Sequence, residues 1–541
     1  MVKVIVLLSG QIASGKTTLC DSLAERFDFR VFKTRSWIAR LAENSIQERT
    51  GLQTRGESLD KRTKGAWIRD ELVRELNKLS LENVLVVVDA VRIPEQIDAV
   101  RAAYGQRVFH IHLTAPVNVL EHRFTSRAEK DFKEASSYSE ASRNRTEANV
   151  KKLAGIADVV IDTSKCTKDD VVIRAASHLG LYDRTYSPLV DVLIGGQYGS
   201  EGKGNISSFL AKEYDILVRV GGPNAGHKVY EEPKPYTFHQ LPSGTRACEA
   251  RLIIGPGAVI NAKTLLTEIA NCQVDASRLT IDPQVMIIEE RDIKRESVLV
   301  KDIASTGQGV GYATSRRIIG RGKKKGNNKV RLAKDIRDLH PFIRDTHELL
   351  EKAFSSGKRI FLEGTQGTGL SLYHGSYPHV TSRDTTVAGC LAEAGISPRR
   401  VRKVIMVCRT YPIRVGNAPV SQNTSGYMSQ EIGWPELAIR SGIKLGELMS
   451  TERTSTTNRE RRVCEFDWDL LRQAASINAP TDIALTFVDY LDVNNRKARR
   501  FEQLAEDTIR FIEEVERVTA APVSLISTRF HSRSIIDRRA W

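Results

Sequence analysis

Strand-like, largely apolar runs occupy positions 2–8, 84–88, 108–113 and 159–162, and the stretches between them, 18–27 and 61–78 among them, have helical spacing. Short continuous apolar runs alternating with helices predict a parallel sheet buried on both faces, an α/β architecture. A second series starts at 190–194, where the run again ends in glycines, and recurs at 216–220, 252–254, 359–362, 403–408 and 482–487. The segment 182–188, ending in Pro188, reads as a connector, so the expected domains are 1–185, a P-loop parallel-sheet domain, and 186–541, a larger α/β domain. No period of 20 to 50 residues and no low-complexity tract interrupts either part. The run at 2–8 flows into Gly10 without a cleavage-site pattern, so it reads as a first strand and not as a signal peptide.

Composition narrows the class. A chain of 541 residues exceeds what one core fills, and the lack of any apolar run of about eighteen residues argues against a membrane span. The seven cysteines are scattered without a paired spacing or histidine neighbours, so neither a disulfide framework nor a zinc site is expected, and a reducing cytoplasm fits. Lysine and arginine (81) outnumber aspartate and glutamate (66), a net charge of +15 that points to anionic partners. Nine of these cations, Arg316, Arg317, Arg321, Lys323, Lys324, Lys325, Lys329, Arg331 and Lys334, fall in one run without an acid or an aromatic residue. The run reads as a solvated loop or a phosphate clamp. Nucleic acid is not expected to be a partner, because stacking aromatics are missing.

Gly10, Gly15, Lys16 and Thr17 have P-loop spacing, after a strand and before a helix. Such a loop wraps phosphate with backbone N–H groups, while Lys16 meets the outer phosphates, Thr17 offers a hydroxyl to Mg²⁺ and Thr18 continues the helix. Asp89 ends the 84–88 run, where a metal-side acid would sit; helix capping is the plainer alternative. With Arg123, Arg127, Arg143 and Arg145 further on, the region resembles the nucleoside and deoxynucleoside monophosphate kinases and, more distantly, dephospho-coenzyme-A kinase. That resemblance makes Arg123 and Arg127 candidates for a basic lid over the transferred phosphoryl group, and places residues 33–40 near the acceptor phosphate.

The second glycine-rich turn, residues 195–204, is not a Walker motif, since Gln197 and Gly204 stand where glycine and a hydroxyl residue belong. Further blocks follow in order: Asn224, Gly226 and His227; residues 239–244; Ser305, Thr306 and Gly309; Glu363, Gln366 and Thr381; Thr456, Thr457, Arg459, Arg461 and Arg462; and 521–528. Together they resemble adenylosuccinate synthetase across 190–530. That family joins L-aspartate to C6 of a purine nucleotide after a nucleoside triphosphate phosphorylates the 6-oxygen. The resemblance makes His227 the proton donor toward that oxygen. Gly199, Glu201, Gly202, Lys203 and Gly204 become the phosphate cradle, and Ser200 with the Gly226 carbonyl the Mg²⁺ side. Asn224, Ser305, Thr306, Gln366 and Thr381 are implied to hold the purine nucleotide, and Thr456, Thr457, Arg459 and Arg461 the aspartate, whose two carboxylates suit fork-shaped guanidinium donors. Arg316 or Arg317 would reach the nucleotide phosphate of a second subunit, implying a homodimer.

Two departures stand out. The family carries aspartate where this chain has Ser200, and serine is no base at neutral pH; a short hydroxyl instead leaves room for a 2-amino group. The same exchange marks the phage-type branch, which converts dGMP to N6-succino-2-amino-2′-deoxyadenylate, so dGMP is the expected substrate and IMP the alternative. The element that reads the guanine of GTP keeps its acid at Asp489 but lacks its lysine, and Arg529 follows Ser527 and Thr528 in place of glycine. ATP, dATP and GTP all stay open as donors. A nucleotide sensor with lost chemistry is the alternative from another class, opposed by the retention of His227, Lys203, Arg459 and Arg461.

Overall fold

The computed structural model describes all residues except 1, 43–48, 80–82, 127–136, 143–148, 183–184, 323–328, 419–422, 455–458 and 532. It divides into two compact units, Met1–Arg184 and Thr185–Trp541. Among the described residues no helix is long and apolar enough to cross a membrane.

In the first unit the strands are β1 (Val2–Gly10), β2 (Arg30–Phe32), β3 (Val84–Val88), β4 (Val108–Thr114) and β5 (Val159–Asp162), in the order β2-β3-β1-β4-β5. Every pairing is parallel. Because side chains alternate along a strand, β1 sends Ile5 and Leu7 into one core with Trp37, Ile68 and Val86, and Val6 and Leu8 into another with Leu19, Leu23 and Ile111. That two-sided burial explains why β1 reads as a continuous apolar run from Val4 to Leu8. Helix α1 (Lys16–Phe27) follows directly, its cap Gly15 at φ 98°, a left-handed conformation that glycine adopts without strain. The single helix expected over 61–78 is instead two, Arg49–Thr63 and Trp67–Asn77. Lys64 (φ 50°) and Gly65 (φ 74°) break it, a local reversal that the apolar spacing does not encode.

The main sheet of the second unit has, among the described residues, nine strands: β6 (Val190–Gly195), β7 (Ile216–Arg219), β8 (Arg251–Ile254), β9 (Leu279–Ile281), β10 (Ile360–Glu363), β11 (Val401–Arg409), β12 (Asp482–Thr486), β13 (Val523–Ser527) and β14 (Ile535–Asp537). Their order is β9-β8-β7-β10-β6-β11-β12-β13-β14, parallel throughout except for the antiparallel edge strand β14. Val190, Val192 and Ile194 face one core and Leu193 the other. The six strands expected from the sequence are all present; β9, β13 and β14 are too short or too polar to announce themselves. With β6 at the centre, the loops leaving β6, β7, β10, β11, β12 and β13 all emerge at the carboxyl edge, where an open parallel sheet offers its crevice. This explains how sequence blocks up to 330 residues apart come to share one site.

Beneath the first phosphate loop, Ser9 Oγ lies 2.6 Å from His110 Nε2 and 2.7 Å from His112 Nδ1, all three side chains buried. Burial pushes both imidazoles down to about 4, whereas in the unfolded chain they titrate near ~6.5. Between those values the unfolded chain binds more protons, so stability is full above the upper value and falls as pH drops through the window, by up to about 1.4 kcal/mol per pH unit for each histidine. Melting temperatures measured between pH 7.5 and 4.5 should fall steeply in the native chain and less steeply in a His110→Gln/His112→Gln variant.

Candidate active site

At the carboxyl edge of the second sheet lies a cleft of about 1360 Å³. Its floor is the turn between β6 and α2 (Lys203–Leu210), whose cap Gly202 sits at φ 90°. The α2 amino terminus thus points its free N–H groups and dipole into the cleft, a ready anion site. Glu201 braces this turn: its Oε1 accepts from the backbone N–H of Gln197 (3.0 Å) and Gly199 (2.7 Å), and its Oε2 lies 2.5 Å from Lys203 Nζ. Thr486 Oγ1 holds the Glu201 carbonyl at 2.6 Å. Glu201 is therefore committed to the loop and is not a free base beside Ser200. Gly199, Ser200, Gly202, Lys203 and Gly204 line the cleft.

His227 opens the strand His227–Val229, paired antiparallel with Tyr236–Phe238. Its Nδ1 donates to Glu363, the last residue of β10. Glu363 Oε1 also accepts from Arg219 Nη1 at 2.8 Å and from Ser243 Oγ, and Oε2 from the Ser243 backbone N–H at 2.7 Å and Ser207 Oγ at 3.0 Å. This leaves His227 Nε2 buried without a protein partner among the described residues. Burial, then the Arg219 charge, pushes the imidazole down to about 3. Burial alone would raise Glu363, but Arg219 and His227 outweigh it and hold the carboxyl at about 2.

Gln366 (φ 57°) donates from Nε2 to Thr381 Oγ1 at 3.3 Å, and its Oε1 accepts from Thr365 Oγ1 at 2.9 Å. Gln366 and Thr381 share the cleft wall with Asn224, Ser305 and Thr306, and Asn224 Oδ1 is a second buried acceptor without a protein partner among the described residues. Arg459 donates from Nη2 to the Ser305 carbonyl (3.0 Å), so the expected aspartate and purine blocks meet. Arg461 lines the cleft and pairs with Glu452 at 3.0 Å. Thr456 and Thr457 lie outside the described residues. At the far end Asp489 Oδ2 pairs with Arg496 (2.9 Å), while its buried Oδ1 has no partner among the described residues; burial pushes this carboxyl up to about 6. Ser527 is buried with its Oγ turned to the Arg529 carbonyl at 3.0 Å, and Arg529 itself lines the cleft.

Of the alternatives Arg316 and Arg317, geometry rules out the first. Arg316 is buried, donating to both carboxylate oxygens of Asp292 and to the carbonyls of Ile287 and Lys329, so its guanidinium is spent inside the chain's own fold. Arg317, half-buried and donating to the Pro256 carbonyl at 3.2 Å, is the accessible one of the pair. Sequence reasoning missed Arg219, Ser243, Arg409 and Glu452. Arg219 and Arg409 carry a usable signal, a charge at the end of an apolar strand, and Ser243 lies inside a matched block.

In the first unit Lys16 Nζ reaches the carbonyls of Gly10 (2.6 Å) and Gln11 (3.0 Å), with Thr17 exposed at the first turn of α1. Asp89 Oδ1 accepts from the backbone N–H and hydroxyl of Thr34 (2.8 and 3.0 Å), capping the helix Thr34–Leu41. Arg123 is bound to Thr163 through Oγ1 (2.8 Å) and carbonyl (2.9 Å), an anchored residue; Arg127, Arg143 and Arg145 lie outside the described residues.

Comparison with known proteins bears on the second unit. The adenylosuccinate synthetase family profile matches residues 192–329 and 327–496. Adenylosuccinate synthetase of Thermococcus onnurineus is 35% identical over 356 residues, 64% of this chain and 98% of the relative. That of Methanocaldococcus jannaschii is 36% identical over 356 residues, 64% and 96% of the respective chains. Among solved structures, a cyanophage S-2L succinoaminodeoxyadenylate synthetase bound to dGMP and dATP superposes with TM-score 0.54 at 26% identity, covering 65% of this chain and 96% of that one. A fully ligated adenylosuccinate synthetase of Plasmodium falciparum shares the fold, with TM-score 0.55 at 22% identity over 65% of this chain and 100% of that one. Through its second unit, the chain belongs to the adenylosuccinate synthetase family.

Proposed function

We propose that the second unit ligates L-aspartate to C6 of dGMP, giving N6-succino-2-amino-2′-deoxyadenylate at the expense of a nucleoside triphosphate. The observation that carries the substrate choice is Ser200. It stands on the cleft wall beside Lys203, where the family has an aspartate, and a hydroxyl takes less room and both donates and accepts beside a 2-aminopurine. The likeness to a synthetase bound to dGMP and dATP supports this reading.

The purine O6 forms a bond to the γ-phosphorus as the bond to the departing nucleoside diphosphate breaks and the N1 proton passes to water. The aspartate amine then attacks C6, and the C6–O6 bond breaks with release of phosphate. Lys203 and the α2 amino terminus bind the transferring group, and Arg459 and Arg461 grip the aspartate carboxylates. His227 faces the cleft through Nε2, with Nδ1 fixed by Glu363. An anionic phosphoryl oxygen at Nε2 favours the protonated imidazole that burial otherwise disfavours, and the Glu363 carboxylate stabilises that cation. Enzymes of this family use Mg²⁺; the Gly226 carbonyl and the Ser200 hydroxyl fit it, since Mg²⁺ takes one or two protein oxygens and the rest from phosphates and water. When bound, it neutralises charge on the transferring phosphoryl group. The free Oδ1 of Asp489 accepts an N–H from adenine or guanine alike, so ATP, dATP and GTP are all candidate donors. The active form is a homodimer, with Arg317 as the arginine offered to the second subunit. The first unit is a P-loop phosphotransferase for a nucleoside monophosphate, its Lys16 and Thr17 on the donor phosphates and Mg²⁺.

Purified protein supplied with Mg²⁺, L-aspartate and each donor in turn should give the succino-nucleotide mass from dGMP and not from IMP. Product from IMP alone would return the chain to ordinary adenylosuccinate synthesis, and none from either would defeat the ligase reading. His227→Asn should lower kcat by about 10²–10⁴-fold, the span of a lost general acid, with nucleotide KM held within about three-fold as for a group acting in the transition state. Phosphoryl transfer from ATP to a nucleoside monophosphate, followed by nucleotide chromatography, should fall at least about 10²-fold in Lys16→Ala, since that ammonium stabilises the transferring charge; an unchanged rate in that variant would remove the P-loop from the reaction.

A further inference from the structure

Glu452 ends the helix Leu445–Thr451, its backbone N–H bonded to the Leu448 carbonyl at 2.9 Å, and its side chain is only 3% exposed. One carboxylate there meets three donors. Oε1 accepts from Arg409 Nη2 at 2.8 Å and from Tyr490 Oη at 2.5 Å, while Oε2 accepts from Arg461 Nη1 at 3.0 Å. The far side of Arg409 belongs to the phosphate loop. Its backbone exchanges two 3.0 Å hydrogen bonds with the Gln197 side-chain amide, and its Nη1 reaches the Ser200 carbonyl at 3.3 Å. The Arg409 guanidinium is held flat by the rings of Phe487 (4.1 Å) and Tyr490 (5.4 Å). A continuous path of polar contacts, buried at Arg409 and Glu452, thus runs from the Ser200 turn to Arg461.

We propose that Glu452 is a positioning residue for the ligation: its carboxylate spans two guanidiniums and so fixes Arg461, which grips the aspartate, at a set distance from the loop that carries the transferring phosphoryl group. The proposal rests on the reading of Arg461 given above. Its place on the cleft wall sets it apart from an ion pair in the core. Two guanidiniums share one carboxylate, so one positive charge is left over, and it faces the cleft: Arg461 and Glu452 both line it, and Arg461 Nε is buried without a partner among the described residues. Burial raises the Glu452 carboxyl, but Arg409 and Arg461 outweigh this and hold it at about 2, so it stays charged wherever the chain is folded.

The test uses the full chain. In Glu452→Gln the charge that tethers Arg461 is gone, yet the Arg461 guanidinium is freer to bind a dicarboxylate. The expected result is a kcat lowered at least about ten-fold with aspartate KM lower or within about two-fold of native, the split that marks lost positioning and not lost binding. Glu452→Asp keeps the charge but is one methylene too short to span both guanidiniums, and it should show the same split; this variant decides the matter if the glutamine variant does not fold. Native kcat in either folded variant overturns the proposal. So does a kcat loss accompanied by rises of about ten-fold in the KM of both aspartate and dGMP and a lowered melting temperature, the signature of a structural role. If the native chain makes no succino-nucleotide from dGMP or IMP, the ligase reading falls and this role with it; if the native chain makes product and the variants match it, the role alone falls.

Discussion

The second unit depends on one buried carboxylate. Glu363 sits at the end of β10, 1% exposed, and satisfies its oxygens with Arg219 from β7, His227 from the adjoining hairpin, Ser207 from α2 and Ser243 from the 239–244 block. An unpaired buried charge costs several kcal/mol, and removing one partner from a buried ion pair typically costs about 3–5 kcal/mol. The fold avoids that cost only if these four segments arrive together. What they assemble is the wall that presents His227 Nε2 to the cleft, so the constraint that stabilises the carboxyl edge also orients that imidazole. Folding and chemistry share the same hydrogen bonds, which is why the surrounding residues are polar inside an otherwise aliphatic sheet.

Both units use the same device for anions, a central parallel strand, a glycine-rich turn and a helix aimed at the ligand, yet their lysines differ. Lys16 bonds the carbonyls of its own loop, whereas Lys203 pairs with Glu201, whose other oxygen orders the Gln197 and Gly199 amides. A carboxylate partner lowers the net attraction for a phosphate and holds the ammonium in one place. The second loop is therefore built for placement more than for affinity, in keeping with a site that must align a phosphoryl donor, a purine and an amino acid.

Much of this was legible in the sequence because apolar runs report two-sided burial directly. All ten expected strands exist, and the residues that end them lead into the phosphate loops and ligand blocks. What escaped has physical reasons. The Lys64–Gly65 reversal depends on backbone conformation, to which apolar spacing is blind. Strand β9 has only three residues, too few for a period to register. Arg316 looked available because a run of cations reads as solvent-facing, but Asp292, 24 residues away in sequence, draws it into the interior. Glu452 could not be singled out either, since its meaning lies in two arginines that the chain brings to it from positions 409 and 461. Motifs mark the atoms that meet substrate; the pairs that hold those motifs in place are long-range and leave no local pattern.

The charge count of the cleft follows from these pairs and bears on Ser200. Glu201 neutralises Lys203, and Glu363 neutralises Arg219 while His227 is neutral. Glu452 offsets only one of Arg409 and Arg461, and among the described residues Arg459 donates to the carbonyls of Ala304 and Ser305. Elsewhere on the wall cations again outnumber carboxylates, Lys228, Arg414, Arg453, Arg496 and Arg529 against Glu296, Asp302, Glu447 and Asp489, so the site for anionic ligands carries positive charges in excess. An aspartate at position 200 would cancel one of them. Serine leaves the potential intact, and a positive potential favours the deprotonated form of a purine lactam just as it favours a bound phosphate. Replacing a base by a hydroxyl thus removes a proton acceptor and, in the same step, strengthens the field that makes the proton easier to lose.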